Sequence, residues 1–327
     1  MIKTLCSIAF FFVIVNALGE AEQWKSYKAN FKKIYKNSKV EQKRFAIFID
    51  NLQIIETHNA KYEKNLTTYK MAINTFADLT REEFGQLLGF SAGSQANITR
   101  NNPVFQPSGA AVPDEINWIE KGAVTGVKDQ GDCGSCWSFS ATGTIEGQYF
   151  LKNKKLVSLS EQNLVDCSTG YGDDGCSGGL MDNAFKYTMD YGIMSEASYP
   201  YLGVDATCKY ESNKVVAKVQ SFVDIVVGSE DGLKSAVGTV GPVSVAVDAS
   251  EFQFYGSGIM DSAYCNNGRE YLDHGILAVG YGNENGVDYW LVKNSWGADW
   301  GENGYIRMSR NKDNQCGIAT CASYAVL

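Results

Sequence analysis

The chain has 327 residues, of which 44% are apolar and 20% are charged, values that are ordinary for a soluble globular protein with one large domain or two smaller ones. It contains 9 cysteines but only 2 histidines, so any reaction that needs an imidazole must use His58 or His274. The net charge of −8 makes nucleic acid an unsuitable partner.

The N-terminus has the pattern of a cleaved signal peptide. Lys3 precedes an apolar run over residues 8–15, and small residues follow up to Ala17. The run is shorter than the roughly 20 residues that cross a bilayer, and no later segment is more apolar, so no membrane span is expected. We therefore predict a signal peptide over residues 1–17 and a lysosomal or secreted protein, in a compartment where disulfides persist.

Residues 18–111, the N-terminal arm, are predicted to form amphipathic helices followed by a linker. Large apolar side chains recur at steps of three and four as far as residue 66. Residues 91–112 are rich in Ser, Gly, Asn, Gln and Ala without periodicity, which predicts an exposed linker. Two Asn-x-Ser/Thr sequons, at Asn65 and Asn97, are candidate glycosylation sites.

Charge differs between the arm and the rest of the chain. The arm carries 13 Lys and Arg against 9 Asp and Glu, whereas residues 112–327, the body, carry 15 against 28. One interpretation is that charge helps to hold the arm against the body, more weakly in acid as carboxylates protonate. The other is that both parts simply have solvated charged faces.

The body is predicted to be α+β with two lobes. Residues 137–151 have a helical pattern. Strand-like segments follow over residues 243–247, 276–279, 289–292 and 304–308. A helical part followed by a strand-rich part indicates two lobes.

The spacing of Cys133 and Cys136 is compatible with a metal site, a redox pair or a single nucleophile. Zinc needs four ligands, and no second C-x-x-C or C-x-x-H pair follows. A redox dithiol is expected after a strand, which residues 129–132 do not resemble. The sequence favours a thiolate at Cys136, because the positive end of the predicted helix stabilises it. A thiol-disulfide oxidoreductase using both cysteines remains the alternative.

A thiolate nucleophile needs a proton carrier, and His274 is the only histidine of the body. A lone histidine is more often a core residue, but here a thiol is available to it. The imidazole in turn needs a group that fixes its orientation, and Asn294 offers a side-chain oxygen at the end of a predicted strand. Cys136, His274 and Asn294 are therefore the candidate catalytic residues.

These motifs resemble those of the papain family of cysteine proteases, in its cathepsin L-like branch. The segment Cys133–Trp137 is similar to the family's nucleophile motif, and Leu272–Gly275 and Lys293–Gly297 are similar to the motifs around its histidine and asparagine. The resemblance implies a papain-like fold whose helical lobe carries Cys136 and whose β-barrel-like lobe carries the other two. It also implies that Gln130 joins the Cys136 N–H in an oxyanion hole.

The same resemblance implies a peptide-binding cleft. Gly178 and Gly179 would lie beside the substrate backbone, near Asp273, and Trp296 would cover the contact between Asn294 and His274. The pocket for P2, the second residue before the cut, would be formed by Leu180, Met181, Ala246, Leu272 and Cys321. This lining predicts hydrophobic or aromatic P2 residues. The implied disulfides are Cys133–Cys176, Cys167–Cys208 and Cys265–Cys316.

The N-terminal arm resembles the family's inhibitory propeptide. The matching positions are Arg44, Phe48, Asn51, Ile55 and Asn59, followed by Asn74, Phe76 and Asp78. Val40 and Ala72 depart from the pattern, standing where the family has glutamate and glycine. The resemblance implies a signal peptide over 1–17, a propeptide over 18–111 and a protease domain over 112–327, with an activation cut between residues 110 and 113.

The predicted protein is a cysteine endopeptidase made as a zymogen. Its partners would be protein and peptide substrates and its own propeptide as an intramolecular inhibitor, and it would act as a monomer without metal or cofactor. Endopeptidase action is expected because the body lacks the histidine-bearing insertion that blocks the cleft in dipeptide-removing members. A catalytically inactive binding protein is the other alternative, which the intact Cys136, His274, Asn294 and Gln130 argue against.

Overall fold

The computed structural model describes residues 19–90, 102–107, 109 and 111–327. The predicted signal peptide and the sequon at Asn97 lie outside these residues. The helices of the described chain are α1 (residues 19–30), α2 (Ser38–Tyr62), α3 (Arg81–Gly85), α4 (Cys136–Asn153), α5 (Glu161–Cys167), α6 (Met181–Asp190) and α7 (Glu230–Thr239).

The arm begins with two amphipathic helices, as the apolar periodicity predicts, and a short strand and the short helix α3 follow. The side chain of Asn37 accepts a hydrogen bond from the backbone N–H of Val40 at 3.0 Å and so caps the start of α2. The apolar faces of α1 and α2 meet in a small aromatic core around Trp24, Tyr27 and Phe48. Their packed rings hold the two helices together at a fixed angle.

The strands form one open nine-stranded sheet and a separate pair. They are β1 (Tyr69–Met71), β2 (Ile116–Asn117), β3 (Ile193–Met194), β4 (Val215–Ala217), β5 (Ser221–Asp224), β6 (Val243–Val247), β7 (Tyr255–Met260), β8 (His274–Glu284), β9 (Val287–Lys293), β10 (Tyr305–Ser309) and β11 (Ala322–Val326). All four strand segments predicted in the body are present, and β8 is longer than its prediction.

The sheet order is β1-β7-β10-β9-β8-β6-β11-β5, with β2 on β8, and β3 pairs with β4 outside it. Its pairings are antiparallel except between β7 and β10. Among the described strands, β1 and β5 end the path without meeting, so the barrel-like lobe expected from the resemblance is an open sheet. One of those ends, β1, belongs to the arm.

The three disulfides join Cys133 to Cys176, Cys167 to Cys208 and Cys265 to Cys316, as the resemblance implies. Cys136 and Cys321 stand outside them and are buried. In the described part of the chain, no helix is long and apolar enough to cross a membrane, and no cluster of His, Cys, Asp and Glu could hold a metal ion.

The exposed linker predicted over residues 91–112 is wrong at Phe105. The ring of Phe105 is buried against Tyr324, and its N–H donates to the carbonyl of Asp224 at 2.8 Å. The carbonyl of Pro103 accepts from the N–H of Asp224 at 2.9 Å. This short segment therefore docks along the end of the sheet, because an aromatic side chain and two backbone hydrogen bonds outweigh its polar composition.

Candidate active site

Cys136 is the first residue of α4 and is fully buried. Its backbone N–H has no helical carbonyl to bond to, because it lies in the first turn. Its Sγ accepts a hydrogen bond from the N–H of Gly275 at 3.3 Å. Gly275 directly follows His274, so this contact brings the thiol of one lobe beside the imidazole of the other.

The sheet places His274 and Asn294 at one edge. His274 begins β8 and Asn294 directly follows β9, and because these strands are antiparallel, the start of one lies beside the end of the other. His274 Nε2 lies 2.8 Å from Asn294 Oδ1, which also accepts the N–H of Ser295 at 2.8 Å. An amide oxygen only accepts, so Nε2 carries the hydrogen. His274 Nδ1 has no hydrogen-bond partner among the described residues and is the nitrogen available to Cys136.

Trp296 lies against the imidazole of this contact, where the resemblance places it. Its ring stacks on the imidazole of His274 with centroids 4.4 Å apart and planes 21° apart. Trp300 packs edge-on against its other side at 4.9 Å. Phe76 and Phe84 of the arm also pack against Trp296, at 5.4 and 5.2 Å. The indole therefore shields the hydrogen bond between His274 and Asn294 from water.

Gln130 lies on the other side of Cys136, where a donor to an oxyanion is expected. Its Nε2 donates to the carbonyls of Cys133 and of Leu87 in the arm, each at 3.0 Å. Its Oε1 accepts from the hydroxyl of Ser295 at 2.7 Å. One amide hydrogen of Gln130 is therefore held by the arm, and the rest of the side chain is fixed by the body.

Residues 87–90 of the arm cross the cleft. The carbonyl of Gly89 accepts from the N–H of Gly179 at 3.0 Å, and the N–H of Phe90 donates to the carbonyl of Asp273 at 2.9 Å. The ring of Phe90 is only 7% exposed. It packs in one apolar cluster with the five predicted pocket residues, Leu180, Met181, Ala246, Leu272 and Cys321. The structure thus places Phe90 in the same apolar cluster as the residues predicted to form the pocket.

Gly178 and Gly179 form the edge along which the arm runs. Gly178 has a φ of 121°, a conformation that side chains disfavour. A Cβ on Gly179 would lie 2.7 Å from the ring of Trp137 and from Oδ1 of Asp173. Glycine at position 179 therefore lets the backbone of this edge lie close against Trp137 and Asp173.

The cleft keeps both reactive groups neutral while the arm covers it. Burial raises the pKa of the Cys136 thiol to about 11, against the opposing effect of the N–H groups of Gly275 and Gly89. Burial lowers the pKa of His274 to about 4, against the opposing hydrogen bond to Asn294. With the arm in place, the pair is therefore a thiol and an uncharged imidazole rather than an ion pair.

Asp173 lies under the same edge and titrates near neutrality. It is 4% exposed, and its carboxyl accepts from the N–H of Leu180 at 2.9 Å and from the hydroxyl of Ser168 at 2.7 Å. Burial raises the pKa of Asp173 to about 7, although those donors and the charge of Lys186 oppose the shift. The residue that supports the glycine edge thus changes charge close to neutral pH.

Charge contributes little to the contact between arm and body. Among the described residues, one ion pair crosses it, between Arg81 and Glu251. Tyr69, Phe76 and Phe84 of the arm are instead buried in the main core of the body. Burial of such side chains stabilises by about 1.5–3 kcal/mol each. Of the two interpretations of the charge asymmetry, the structure favours solvated faces.

Sequence reasoning missed the segment that fills the cleft and the residues that hold Gln130. The only local signal for this segment is that the apolar run of residues 87–90, which contains one glycine, ends where the polar linker begins. It also missed a buried cluster in which Lys128 Nζ lies 3.1 Å from Glu146 and 2.6 Å from Glu161.

His58, the other histidine, contacts the carbonyl of Tyr69 within the arm and is structural.

Comparisons with known proteins find relatives along nearly the whole chain. Residues 112–326 match the family described as papain family cysteine protease, and residues 24–84 match the cathepsin propeptide inhibitor domain (I29). A cathepsin L-like peptidase of Aedes aegypti is 48% identical, covering 99% of this chain and 100% of the relative. Digestive cysteine proteinase 2 of Homarus americanus is 47% identical, covering 98% and 99%. The structure of digestive procathepsin L 3 of Tenebrio molitor larval midgut is 46% identical with a TM-score of 0.88, covering 94% and 99%.

The raised pKa of Cys136 predicts slow alkylation beneath the arm. At pH 7 a thiol with a pKa of about 11 is ionised to only about one part in 10⁴. Iodoacetamide should therefore modify Cys136 at least ~100-fold more slowly than after proteolytic removal of the arm, as measured by mass spectrometry. With the arm in place, the rate should rise about tenfold per pH unit from pH 6 to pH 9. A rate independent of pH there would show that the thiol is already ionised.

Because the pKa of Asp173 is raised, we expect Asp173→Asn to be more stable than the wild type at high pH but not at low pH. An unfolded aspartate ionises near pH 3.9, whereas folded Asp173 keeps its proton to about pH 7, so wild-type stability falls as the pH rises between those values. Asp173→Asn removes this loss and should stabilise the full chain by on the order of 4 kcal/mol at pH 8 and by almost nothing at pH 4. Urea unfolding in a Cys136→Ala background measures the difference. The matched control is Asp174→Asn, at an exposed neighbour, and an equal gain from Asp173→Asn at both pH values would contradict the assignment.

Proposed function

Because the chain belongs to the papain family of cysteine proteases, as a cathepsin L-like proenzyme with an I29 propeptide, we propose that Cys136 and His274 hydrolyse peptide bonds by acyl transfer. The observation that carries this assignment is the chain of contacts from Cys136 Sγ through the Gly275 N–H to His274 and on to Asn294 Oδ1. Residues 18–111 act as the propeptide and residues 112–327 as the protease domain, after loss of a signal peptide over 1–17. Cleavage between residues 110 and 113 releases the enzyme.

The proposed reaction begins when the propeptide leaves and water returns to the cleft. Hydration favours charged groups, so the proton of Cys136 Sγ moves to His274 Nδ1. The thiolate attacks the peptide carbonyl carbon, and the Cys136 N–H and Gln130 Nε2 donate to the oxygen as it becomes negative. His274 gives its proton to the departing amine as the C–N bond breaks, which leaves a thioester. His274 then takes a proton from water, whose oxygen attacks the thioester and frees Cys136.

The propeptide inhibits because it runs in the opposite direction to a substrate. In a substrate, the P2 side chain precedes the residue whose carbonyl meets the oxyanion donors. Here the carbonyl at Gln130 belongs to Leu87, and the side chain that shares the apolar cluster of the proposed P2 pocket belongs to Phe90, which comes later in the chain. This reversed path fills the oxyanion donor and the pocket with groups that Cys136 cannot join into a productive acyl transfer.

The proposed P2 pocket favours hydrophobic or aromatic side chains, because its residues Leu180, Met181, Ala246, Leu272 and Cys321 are apolar and belong to the same buried cluster as Phe90. The enzyme acts as a monomeric endopeptidase on protein and peptide substrates, in a lysosomal or secreted setting. Relatives named as digestive enzymes support general protein degradation as its role. Exposed Asn65 remains a candidate glycosylation site.

Replacement of the nucleophile tests the proposed chemistry directly. A pure Cys136→Ala proenzyme should remain full length at acid pH, because no thiolate forms, while the wild-type chain shortens by about 110 residues and becomes active. Gel electrophoresis and hydrolysis of a peptide library measure both outcomes, and the library should show hydrophobic or aromatic P2 residues. Self-processing by the Cys136→Ala chain would assign catalysis to another residue.

Gly89 offers a test of latency in the uncleaved chain. A Cβ at this position would lie 1.7 Å from the carbonyl oxygen of Gly134, whose loop is held by the Cys133–Cys176 disulfide. Gly89→Ala should therefore lift the propeptide from the cleft and raise peptidase activity of the uncleaved chain at pH 7 at least ~10-fold. The matched control is Gly85→Ala, where an added Cβ meets nothing within 4 Å. Equal latency in both variants would mean that residues 87–90 do not block the cleft.

A further inference from the structure

Every polar atom of Gln130 has a hydrogen-bond partner. Its backbone N–H donates to the carbonyl of Ser295 at 2.9 Å, and its Oε1 accepts from the hydroxyl of the same residue at 2.7 Å. Its backbone carbonyl accepts from the hydroxyl of Tyr201 at 2.9 Å and, at the longer distance of 3.4 Å, from the N–H of Cys133. One hydrogen on Nε2 is directed to Cys133 and the other to Leu87. Departure of the propeptide frees only the hydrogen directed to Leu87. The other hydrogen bonds of Gln130 remain and fix the orientation of its side-chain amide.

The hydroxyl of Tyr201 also reaches the segment that leads to the nucleophile. It lies 2.6 Å from Oγ of Ser135, the residue directly before Cys136. A backbone carbonyl only accepts, so Tyr201 must donate its hydrogen to Gln130 and accept the one from Ser135. The hydrogen bonds therefore run from Ser135 to Tyr201 and from Tyr201 to Gln130. The Tyr201 hydroxyl thus links the segment of Gln130 to the segment of Cys136, which supply the two proposed oxyanion donors.

Two further contacts hold Tyr201 in place. Its ring packs edge-on against Phe139 of α4 with centroids 5.0 Å apart, and its backbone N–H donates to Glu196 Oε1 at 2.8 Å. Burial raises the pKa of Tyr201 above its usual value, so the hydroxyl keeps its hydrogen across the working pH range. The link between Ser135 and Gln130 is thus anchored to α4, the helix that begins with Cys136.

We propose that Tyr201 is a positioning residue of the oxyanion hole, which sets the distance between the Gln130 amide and the Cys136 N–H through its bonds to Gln130 and Ser135. The inference rests on the proposed roles of Gln130 and Cys136. Tyr201 acts through Gln130 and Ser135, to which its hydroxyl bonds. Its effect falls on the transition state, because donors that are aimed at a developing negative charge act only when their positions are already fixed.

Tyr199 provides a matched control two residues away. Its hydroxyl donates to Asp166 Oδ2 at 2.7 Å and accepts from the N–H of Lys209 at 3.0 Å. It has the same number of hydroxyl hydrogen bonds as Tyr201, but it joins segments remote from the oxyanion donors. Replacing either tyrosine by phenylalanine removes one hydroxyl and two hydrogen bonds, so general destabilisation should be similar in the two variants.

The experiment compares Tyr201→Phe and Tyr199→Phe in the mature enzyme. Tyr201→Phe should lower kcat about 10-fold with KM within about twofold, because the loss is confined to the transition state. Tyr199→Phe should leave kcat unchanged. A peptide aldehyde forms a tetrahedral adduct on Cys136, and its affinity should fall in Tyr201→Phe by the same factor as kcat/KM. Alkylation by iodoacetamide forms no oxyanion, and its rate should not change.

Two further variants separate failure of this inference from failure of the proposed mechanism. Ser135→Ala removes only one of the two bonds and should lower kcat in the same direction but less, which keeps the test open if Tyr201→Phe folds poorly. In a Gln130→Ala background, Tyr201→Phe should have little further effect, because the donor that it positions is gone. Wild-type kcat in Gln130→Ala would overturn both the role of Gln130 and the inference. Normal kcat in Tyr201→Phe, or a parallel fall in its alkylation rate, would overturn the inference alone.

Discussion

Everything at the proposed active site depends on the contact between the start of α4 and the start of β8. Cys136 and His274 come from different lobes, and they meet only because α4 lies directly on the sheet. Hydroxyl groups fasten it there: Ser140 Oγ donates to the carbonyl of Ile276 at 2.7 Å, and Ser244 Oγ donates to the carbonyl of Ser140 at 2.7 Å. Each bond satisfies a buried polar group on both sides of the lobe boundary, so a shift of the helix would leave several of them without partners.

The propeptide controls this site through solvation more than through charge. It supplies aromatic side chains to the body core and a single ion pair among the described residues. Its greater effect is to exclude water, which favours the neutral forms of both Cys136 and His274. In the proposed mechanism, latency thus has two parts, since residues 87–90 cross the cleft and Cys136 is also kept protonated. Removal of the covering segment reverses both at once.

The sequence predicted those features that local pattern or motif spacing determines. The helix after Cys136, the strands of the body and the approach of His274 to Asn294 follow from such signals, and the structure contains them. The three disulfides, which the family resemblance implied, are also present. The path of residues 87–90 could not be predicted, because it depends on how the arm docks on a surface far away in the chain. The same holds for Phe105, whose polar neighbours indicate a linker, and for Tyr201, whose partners Ser135 and Gln130 are more than 60 residues away in sequence.

The pairing of β1 with β7 has a consequence for the protease domain once the arm is gone. Tyr69 and Lys70 lie opposite Gly258 and Ser257, so β1 covers the outer edge of β7 in the intact chain. Loss of β1 turns β7 into the terminal strand of the sheet, with backbone N–H and C=O groups facing water. Such edges invite pairing with other chains, and hence aggregation. Gly258 has a φ of 94°, which breaks the extended conformation there and makes this edge a poor template for a second copy.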